Sequence, residues 1–319
     1  MAEIGTDIEK AKALLLQGEL VAIPTETVYG LATNALSEAA LLKIFTAKNR
    51  PHFDPLIVHV HSLDQAKEYV EDFPIQSKLL AEKFWPGPLT LLLLKKKIIP
   101  DLATSGLNTV GIRCPNHPLT LDLLQQLPFP LAAPSANPFG YVSPTNPRHV
   151  NEQLGDKVAY ILDGGECSVG IESTIVGIEN QQGTIYRIGG LTHEAIEGVI
   201  GQVLVTTHSS SNPIAPGQLQ SHYAPRKKLI LGNLDNLIYQ YDASNVGAIC
   251  FRESRNEIIP ERQRVLSSSG SLEEAARNLF SALRELDTLA IEFIVAEPVP
   301  EVGLGRAIND RLRRASFSE

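Results

Sequence analysis

The stretch Ile23–Val60, IPTETVYGLATNALSEAALLKIFTAKNRPHFDPLIVHV, constrains the fold of this chain more than any other. An apolar run stops at Pro24, a short loop rich in hydroxyls follows, a helical pattern comes next, and Leu56–Val60 is strand-like again. A strand, loop, helix, strand unit with its polar groups gathered at the turns is how α/β proteins usually build sites. Ser37 stands where the helix needs an N-cap, and Leu41, Leu42, Ile44 and Phe45 supply its apolar face. The helix is predicted to end near Lys48, because Arg50 precedes Pro51 and a residue before proline is pushed out of the helical region. Lys48 and Arg50, two apart at the start of an extended segment, then project to one side as a cationic pair lying outside the core. A Lys and an Arg at a helix C-terminus also serve simply to complement its dipole in water. Against that, Thr25, Glu26, Thr27 and Tyr29 fall near the same sheet edge and need partners.

The bounds of the chain narrow the rest. At 319 residues it exceeds one ordinary core and predicts two domains, and 43% hydrophobic residues supply apolar material for both. With 28 basic against 36 acidic residues the net charge is −8, so an anionic ligand must be held by local clusters, which argues against a dedicated nucleic-acid binder. Cys114, Cys167 and Cys250 are far apart and form no CxxC, which fits a reducing cytoplasm and gives no metal or disulfide framework. There is no N-terminal apolar leader and no run of membrane-spanning length, so the expectation is a cytoplasmic protein with no membrane association.

Along the chain, Thr6–Gln17 reads as a first helix, with Thr6 and Glu9 at capping-box spacing and Gly18 closing it, followed by a buried strand at Leu20–Pro24. Ser62–Val70 and Ile75–Phe84 are helical, Leu89–Leu94 is a central strand, and the lysines at 95–97 end it in water. Thr109–Cys114 alternates as a strand carrying Arg113. Pro118–Leu127 is helical, and the strand at Leu131–Ala133 breaks into PSANP, where flanking prolines let Ser135 and Asn137 project together. Three more strands follow at Tyr160–Gly164, Ser173–Ile178 and Thr184–Ile188, with Glu172, Ser173 and Arg187 as polar members, then a helix at Thr192–Ile200. Thr206–Arg226 is rich in Ser and Pro and reads as a linker. Beyond it, strands at 229–231, 246–251, 264–266 and 291–296 alternate with helices at 234–239, 271–286 and 305–314, predicting a small Rossmann-like open α/β sheet. The division expected is 1–203, a linker or lid at 204–227, and 228–319.

The common chemical motifs are missing: no Walker-type phosphate loop, no nucleophile elbow, no zinc-protease pair, and no glycine-rich dinucleotide turn. His59 and His61 share a strand face without a third ligand nearby, so packing explains them better than zinc. What remains is Lys, Arg, Ser and Thr, a set suited to binding an anionic substrate by charge and hydroxyl contacts.

Those residues also carry a resemblance. PTETVYGL at 24–31, AK-x-RP with PLIVHV at 47–60, WPGPLTL at 85–91, VGIRCP at 110–115, APSAN at 133–137, ESTIV at 172–176 and HYAP at 222–225 together resemble the threonylcarbamoyl-AMP synthase family in its longer two-domain form. The region after 226 is similar only in size and α/β character. The resemblance implies a twisted mixed sheet around a large concave cavity, and a reaction in which L-threonine, bicarbonate and ATP give threonylcarbamoyl-adenylate and pyrophosphate, with Mg2+ accompanying the ATP. That is the first step toward threonylcarbamoyladenosine in tRNA, so downstream threonylcarbamoyl-transfer proteins and tRNA are the implied partners. By the same resemblance Thr27, His59, Arg113, Ala133 and Ser173 hold threonine. Arg50, Asp54, Thr109, Ser135, Asn137, Ser143, Arg187 and Tyr223 face the nucleotide, and Lys48 with Arg50 supplies the catalytic positive field. Asp54 departs from the pattern, which has asparagine there, so an acidic group must answer to a cation or a ribose hydroxyl. Residues 214–225 are expected to fold across the cavity as a lid. Two other readings compete: a module docking double-stranded RNA or tRNA, which needs a basic face, and a carbamoyl-transfer domain of related fold, which works without bicarbonate.

Overall fold

The structure, a computed structural model, describes residues 1–206, 213–218 and 222–317. The chain divides into two compact units that interleave in sequence. The first comprises Met1–Phe139, Pro144–Ser168 and Glu172–Leu219, and the second Gly140–Ser143, Val169–Ile171 and Gln220–Glu319. Beside the expected division at 203 and 227, two short loops of the N-terminal half, Gly140–Ser143 and Val169–Ile171, fall in the second unit. A methyl group on Gly170 would lie 2.4 Å from Arg277 Cα.

In the first unit the elements are β1 (Glu3–Gly5), α1 (Ile8–Leu16), β2 (Val21–Ile23), β3 (Gly30–Asn34), α2 (Glu38–Lys48), β4 (Ile57–His59), α3 (Leu63–Tyr69), α4 (Ile75–Phe84), β5 (Leu89–Leu94), α5 (Asp101–Thr104), β6 (Thr109–Arg113), α6 (Pro118–Gln126), β7 (Leu131–Ala132), α7 (Pro147–Leu154), β8 (Tyr160–Leu162), β9 (Thr174–Glu179), β10 (Gln182–Arg187), α8 (His193–Ile200) and β11 (Val203–Val205). Among the described residues these strands form one mixed sheet in the order β1-β8-β2-β3-β7-β4-β6-β5-β9-β10-β11. The predicted mixed α/β sheet is therefore present. Ser37 caps α2 as expected, accepting from Ala40 N. The cap of α1 is Asp7 rather than Thr6, its carboxylate accepting from Lys10 N at 3.0 Å. The lysine run is less solvated than expected: Lys95 Nζ donates to Ile99 O and pairs with Asp101.

The central strands alternate cleanly. Val58, Leu91, Ile112, Val176 and Ile185 enter the main apolar core with Leu41, Ile44 and Phe45 of α2. The opposite face of the same strands carries a smaller apolar set, Ile57, Leu92, Ile175 and Tyr186, on which Ala215 packs. Residues 213–218 thus lie against the first unit, anchored by Gln218, whose Oε1 accepts from Ile214 N at 2.8 Å and whose Nε2 donates to Thr206 O at 3.4 Å. Of the lid expected at 214–225, residues 219–221 lie outside the described residues, and 222–225 belong to the second unit.

The second unit contains β12 (Lys228–Leu231), α9 (Leu234–Tyr241), β13 (Val246–Cys250), β14 (Gln263–Val265), α10 (Leu272–Thr288), β15 (Phe293–Ala296) and α11 (Gly305–Ser316). Its four strands are all parallel, in the order β12-β15-β13-β14. Ala275, Ala276, Leu279, Phe280, Leu283 and Leu286 of α10 are buried, as their spacing predicts. No described helix in either unit is long and apolar enough to cross a membrane.

Gly189 and Gly190 show how backbone contact positions the strand end that carries Ser173. Gly190 N donates to Glu172 O at 2.8 Å, and a methyl group on Gly189 would lie 2.3 Å from that same oxygen. Gly189→Ala is therefore expected to lower stability by about 1–3 kcal/mol through overpacking against backbone, measured by urea unfolding. An unchanged midpoint would remove this account of the close approach.

Candidate active site

The smaller-core face of the sheet gathers the polar residues. Register places His59 opposite Arg113, Arg113 opposite Thr90, Thr90 opposite Ile175, and Ile175 opposite Arg187 at a bulge. Side chains paired across a sheet share a face, so His59, Arg113 and Thr90 stand abreast. Thr90 Oγ1 lies 2.7 Å from Ser173 Oγ, which also accepts from Arg187 Nη2 at 2.9 Å. Arg187 further donates through Nε to Ser173 O at 3.0 Å and through Nη1 to Pro216 O at 3.3 Å. The segment 213–218 is therefore joined to the polar row by a guanidinium.

Arg113 is buried and faces Glu26, with Nη2 2.8 Å from Oε1. Its Nε and Nη2 have no hydrogen-bond partner among the described residues. Such unsatisfied buried donors are costly and point to a missing acceptor. His59 is held neutral: burial first, and Arg113 next to it, push its pKa from 6.5 down to about 3, and Nδ1 lies 3.3 Å from Ile57 O. Thr27 belongs to a hydroxyl knot in which Thr25 Oγ1 lies 2.8 Å from Thr27 Oγ1 and donates to Val28 O. Ala133 N donates to Ile57 O, and the Ala133 Cβ lies 3.1 Å from where a methyl on Gly30 would stand, so the PTETVYGL and APSAN loops meet.

The Lys48 and Arg50 pair is placed differently from its predicted position outside the core. α2 ends at Lys48, Asn49 takes the left-handed conformation, and both cations turn inward and are buried. Lys48 Nζ donates to the carbonyls of Ser135, at 2.5 Å, and of Asn137. The sequence pairs Lys48 with Arg50 and Ser135 with Asn137 are thus brought together, the lysine clasping the loop of the other pair. Burial, then repulsion from Arg50, lowers the Lys48 pKa well below the usual amine range. Arg50 pairs with the Asp54 carboxylate at 2.9 Å and donates to Asp54 O and Pro55 O. Burial raises the Asp54 pKa against the pull of Arg50, and its two carboxylate oxygens accept no hydrogen bond among the described residues.

Other predicted residues lie elsewhere. Thr109 is at the far end of β6 from Arg113 and lines a groove of about 400 Å³ with Leu92, Leu94, Tyr186 and Ile214. Ser143 and Tyr223 belong to the second unit. There the Ser143 carbonyl accepts from Arg284 Nε, and the buried Tyr223 ring stacks on Phe280 with the Arg311 guanidinium 4.8 Å from its centroid. Thr90, Gln218 and the carboxylate of Glu26 escaped assignment by sequence. Thr90 lies inside the WPGPLTL block and Glu26 inside the PTETVYGL block, so each offers a signal, whereas Gln218 stands in no such block.

Fold and geometry together define an α/β protein with buried cations, a histidine and hydroxyls gathered on one face of a mixed sheet. A family model described as "Telomere recombination" matches residues 13–189, and one described as "Threonylcarbamoyl-AMP synthase, C-terminal domain" matches 191–316. The chain is 40% identical to the threonylcarbamoyl-AMP synthase of Pyrococcus abyssi, over 97% of this chain and 94% of that one, and 39% identical to that of Bacillus subtilis, over 97% and 92%. It superposes on a crystal structure of P. abyssi Sua5 complexed with L-threonine with a TM-score of 0.93 at 38% identity, covering 99% of this chain and 97% of the other. The chain belongs to the threonylcarbamoyl-AMP synthase family, in its two-domain form.

Two outcomes follow from the burial of these groups. The folded state takes up the His59 proton only near pH 3 while the unfolded chain takes it up near 6.5. Between those values the unfolded state binds more protons, so stability falls as pH drops through that window, by up to about 1.4 kcal/mol per pH unit from this group. His59→Gln should flatten the pH dependence of the urea midpoint there, and parallel curves for both proteins would refute the burial argument. Lys48→Met should lower stability by roughly 1–3 kcal/mol per carbonyl left unpaired, seen as a lower melting temperature. A melt equal to wild type would restore the solvent-facing reading of that lysine.

Proposed function

We propose that this chain is a threonylcarbamoyl-AMP synthase, joining L-threonine, bicarbonate and ATP to give threonylcarbamoyl-AMP and pyrophosphate. The observation that carries this reading is Arg113, a buried guanidinium paired with Glu26 whose Nε and Nη2 have no hydrogen-bond partner among the described residues, beside neutral His59 and the Thr90 and Ser173 hydroxyls. A buried cation in that setting suits the carboxylate of a small amino acid, and the hydroxyls suit its side-chain oxygen. In this reading Thr27, His59, Arg113, Ala133 and Ser173 surround threonine. Arg50, Ser135, Asn137, Thr109 and Arg187 of the first unit attend the nucleotide.

The chemistry needs charge and orientation more than a covalent nucleophile. Threonine's amine adds to the one-carbon unit, and the resulting carbamate oxygen attacks the α-phosphate as pyrophosphate leaves. Every species is anionic, and fixed cations in a dry site stabilise developing negative charge without reorganising. Arg50 bears on the phosphates directly. Lys48 acts through the loop it clasps, holding Ser135 and Asn137 in place. Residues 213–218, packed on the sheet face and bonded to Arg187, exclude water that would hydrolyse the carbamate and adenylate.

Among the described residues no group of three or more His, Cys, Asp or Glu could hold a metal ion by itself. Magnesium accompanying ATP would find donor chemistry at Asp54, which pairs with Arg50 and whose carboxylate oxygens accept no hydrogen bond among the described residues. The ion would supply charge neutralisation at the phosphates. The product is a group donor, so the reading places the chain in the cytoplasm ahead of proteins that transfer the threonylcarbamoyl group to tRNA.

The test is pyrophosphate release with threonine, ATP and bicarbonate, each omitted in turn, where release should require all three. Release without bicarbonate would favour the carbamoyl-transfer reading. Arg113→Ala should weaken threonine binding by about 2–5 kcal/mol, the cost of losing a buried charge pair, and should leave ATP binding nearly unchanged. Calorimetric titration showing equal threonine affinity in both proteins would remove Arg113 from its assigned place.

A further inference from the structure

Glu26 is a buried acid that the reaction as described does not use. It lies in the loop between β2 and β3, 5% exposed. Its Oε2 accepts from the backbone N–H of Asn116 at 3.0 Å, which pins the carboxylate to the loop after β6. Its Oε1 lies 2.8 Å from Arg113 Nη2, yet neither atom has an aligned hydrogen-bond partner among the described residues, and Arg113 Nε has none either. The other titratable groups near enough to feel Glu26 are Cys114, Cys167 and His117, and burial disfavours the charged form of each. An acid and a base thus stand side by side, each with bonding capacity unspent. A simple carboxylic acid would complement only one of them. A zwitterion whose ammonium and carboxylate hang from one carbon complements both.

We propose that Glu26 is the counter-anion for the α-ammonium group of the amino-acid substrate whose carboxylate Arg113 takes, and so selects amino acids over hydroxy acids and plain carboxylic acids. The inference rests on the threonine reading above and adds a specificity residue to it. The structural role of Glu26, steadying Arg113, would affect any carboxylate equally, and that difference supplies the test.

The full chain and its Glu26→Gln variant are titrated calorimetrically with L-threonine and with (R)-3-hydroxybutanoate, which keeps the carboxylate and hydroxyl of threonine and lacks the amine. Glutamine keeps an acceptor for Asn116 N–H and removes the charge. The expected result is a loss of threonine affinity of about 10- to 100-fold, the usual weight of a charged hydrogen bond, with hydroxybutanoate affinity unchanged and ATP binding intact. Equal weakening of both ligands would make Glu26 a support for Arg113 and overturn the proposal, as would no weakening of either. If Glu26→Gln does not fold, Glu26→Asp, which keeps the charge one methylene back, must show the same selective loss. The wild-type assay separates this from the parent reading: absence of threonine-dependent pyrophosphate release would remove the threonine site itself, whereas normal release with an unselective variant would remove only the role of Glu26.

Discussion

Strand register is the constraint on which the site depends. His59, Arg113 and Thr90 stand abreast because β4, β6 and β5 pair at those positions, and a slip of one residue would turn all three into the core and bring Val58, Ile112 and Leu91 out. Burying those apolar neighbours against α2 is what makes the slip costly. The site is therefore aimed by the hydrophobic effect acting on the residues between its members, and its polar groups need contribute little to the fold they occupy.

How each cation is held decides what remains available to a ligand. Lys48 is bound by backbone carbonyls, and Arg187 by the Ser173 carbonyl and hydroxyl and by the Pro216 carbonyl. Dipoles of that kind fix a side chain without cancelling its charge. Arg50 and Arg113 face carboxylates instead, Asp54 and Glu26, and among the described residues the Asp54 oxygens, Glu26 Oε1 and Arg113 Nε and Nη2 make no hydrogen bond. A net acidic protein can in this way keep a cationic interior site, because the fields that matter are local and poorly screened.

Much of this was legible in the sequence, for identifiable reasons. Apolar alternation marked β5 and β6, Ser37 and the Leu41–Phe45 face marked α2, and the small spacing of α10 marked its buried face. The meeting of Lys48 with Ser135 and Asn137 was foreshadowed only as two similar pairs, since contacts across about ninety residues leave no periodicity to read. β1, β3 and β11 leave little signal because strands this short give too few alternations, and β1 and β3 also contain a Gly or Asn. The burial of Lys48 was missed because residue type argues for solvent, while the carbonyls that accept from it come from elsewhere in the chain.

The interleaved division of the chain has a consequence for synthesis. Gly170 must lie against Arg277, and the carbonyls of Val142 and Ser143 receive Arg284, so these loops emerge from the ribosome more than a hundred residues before their partners. At elongation speeds of about 5–20 residues per second that is a wait of roughly 5–30 s. During it the nascent first unit carries two loops whose packing surfaces do not yet exist, which makes this interval the one in which a chaperone has most to protect.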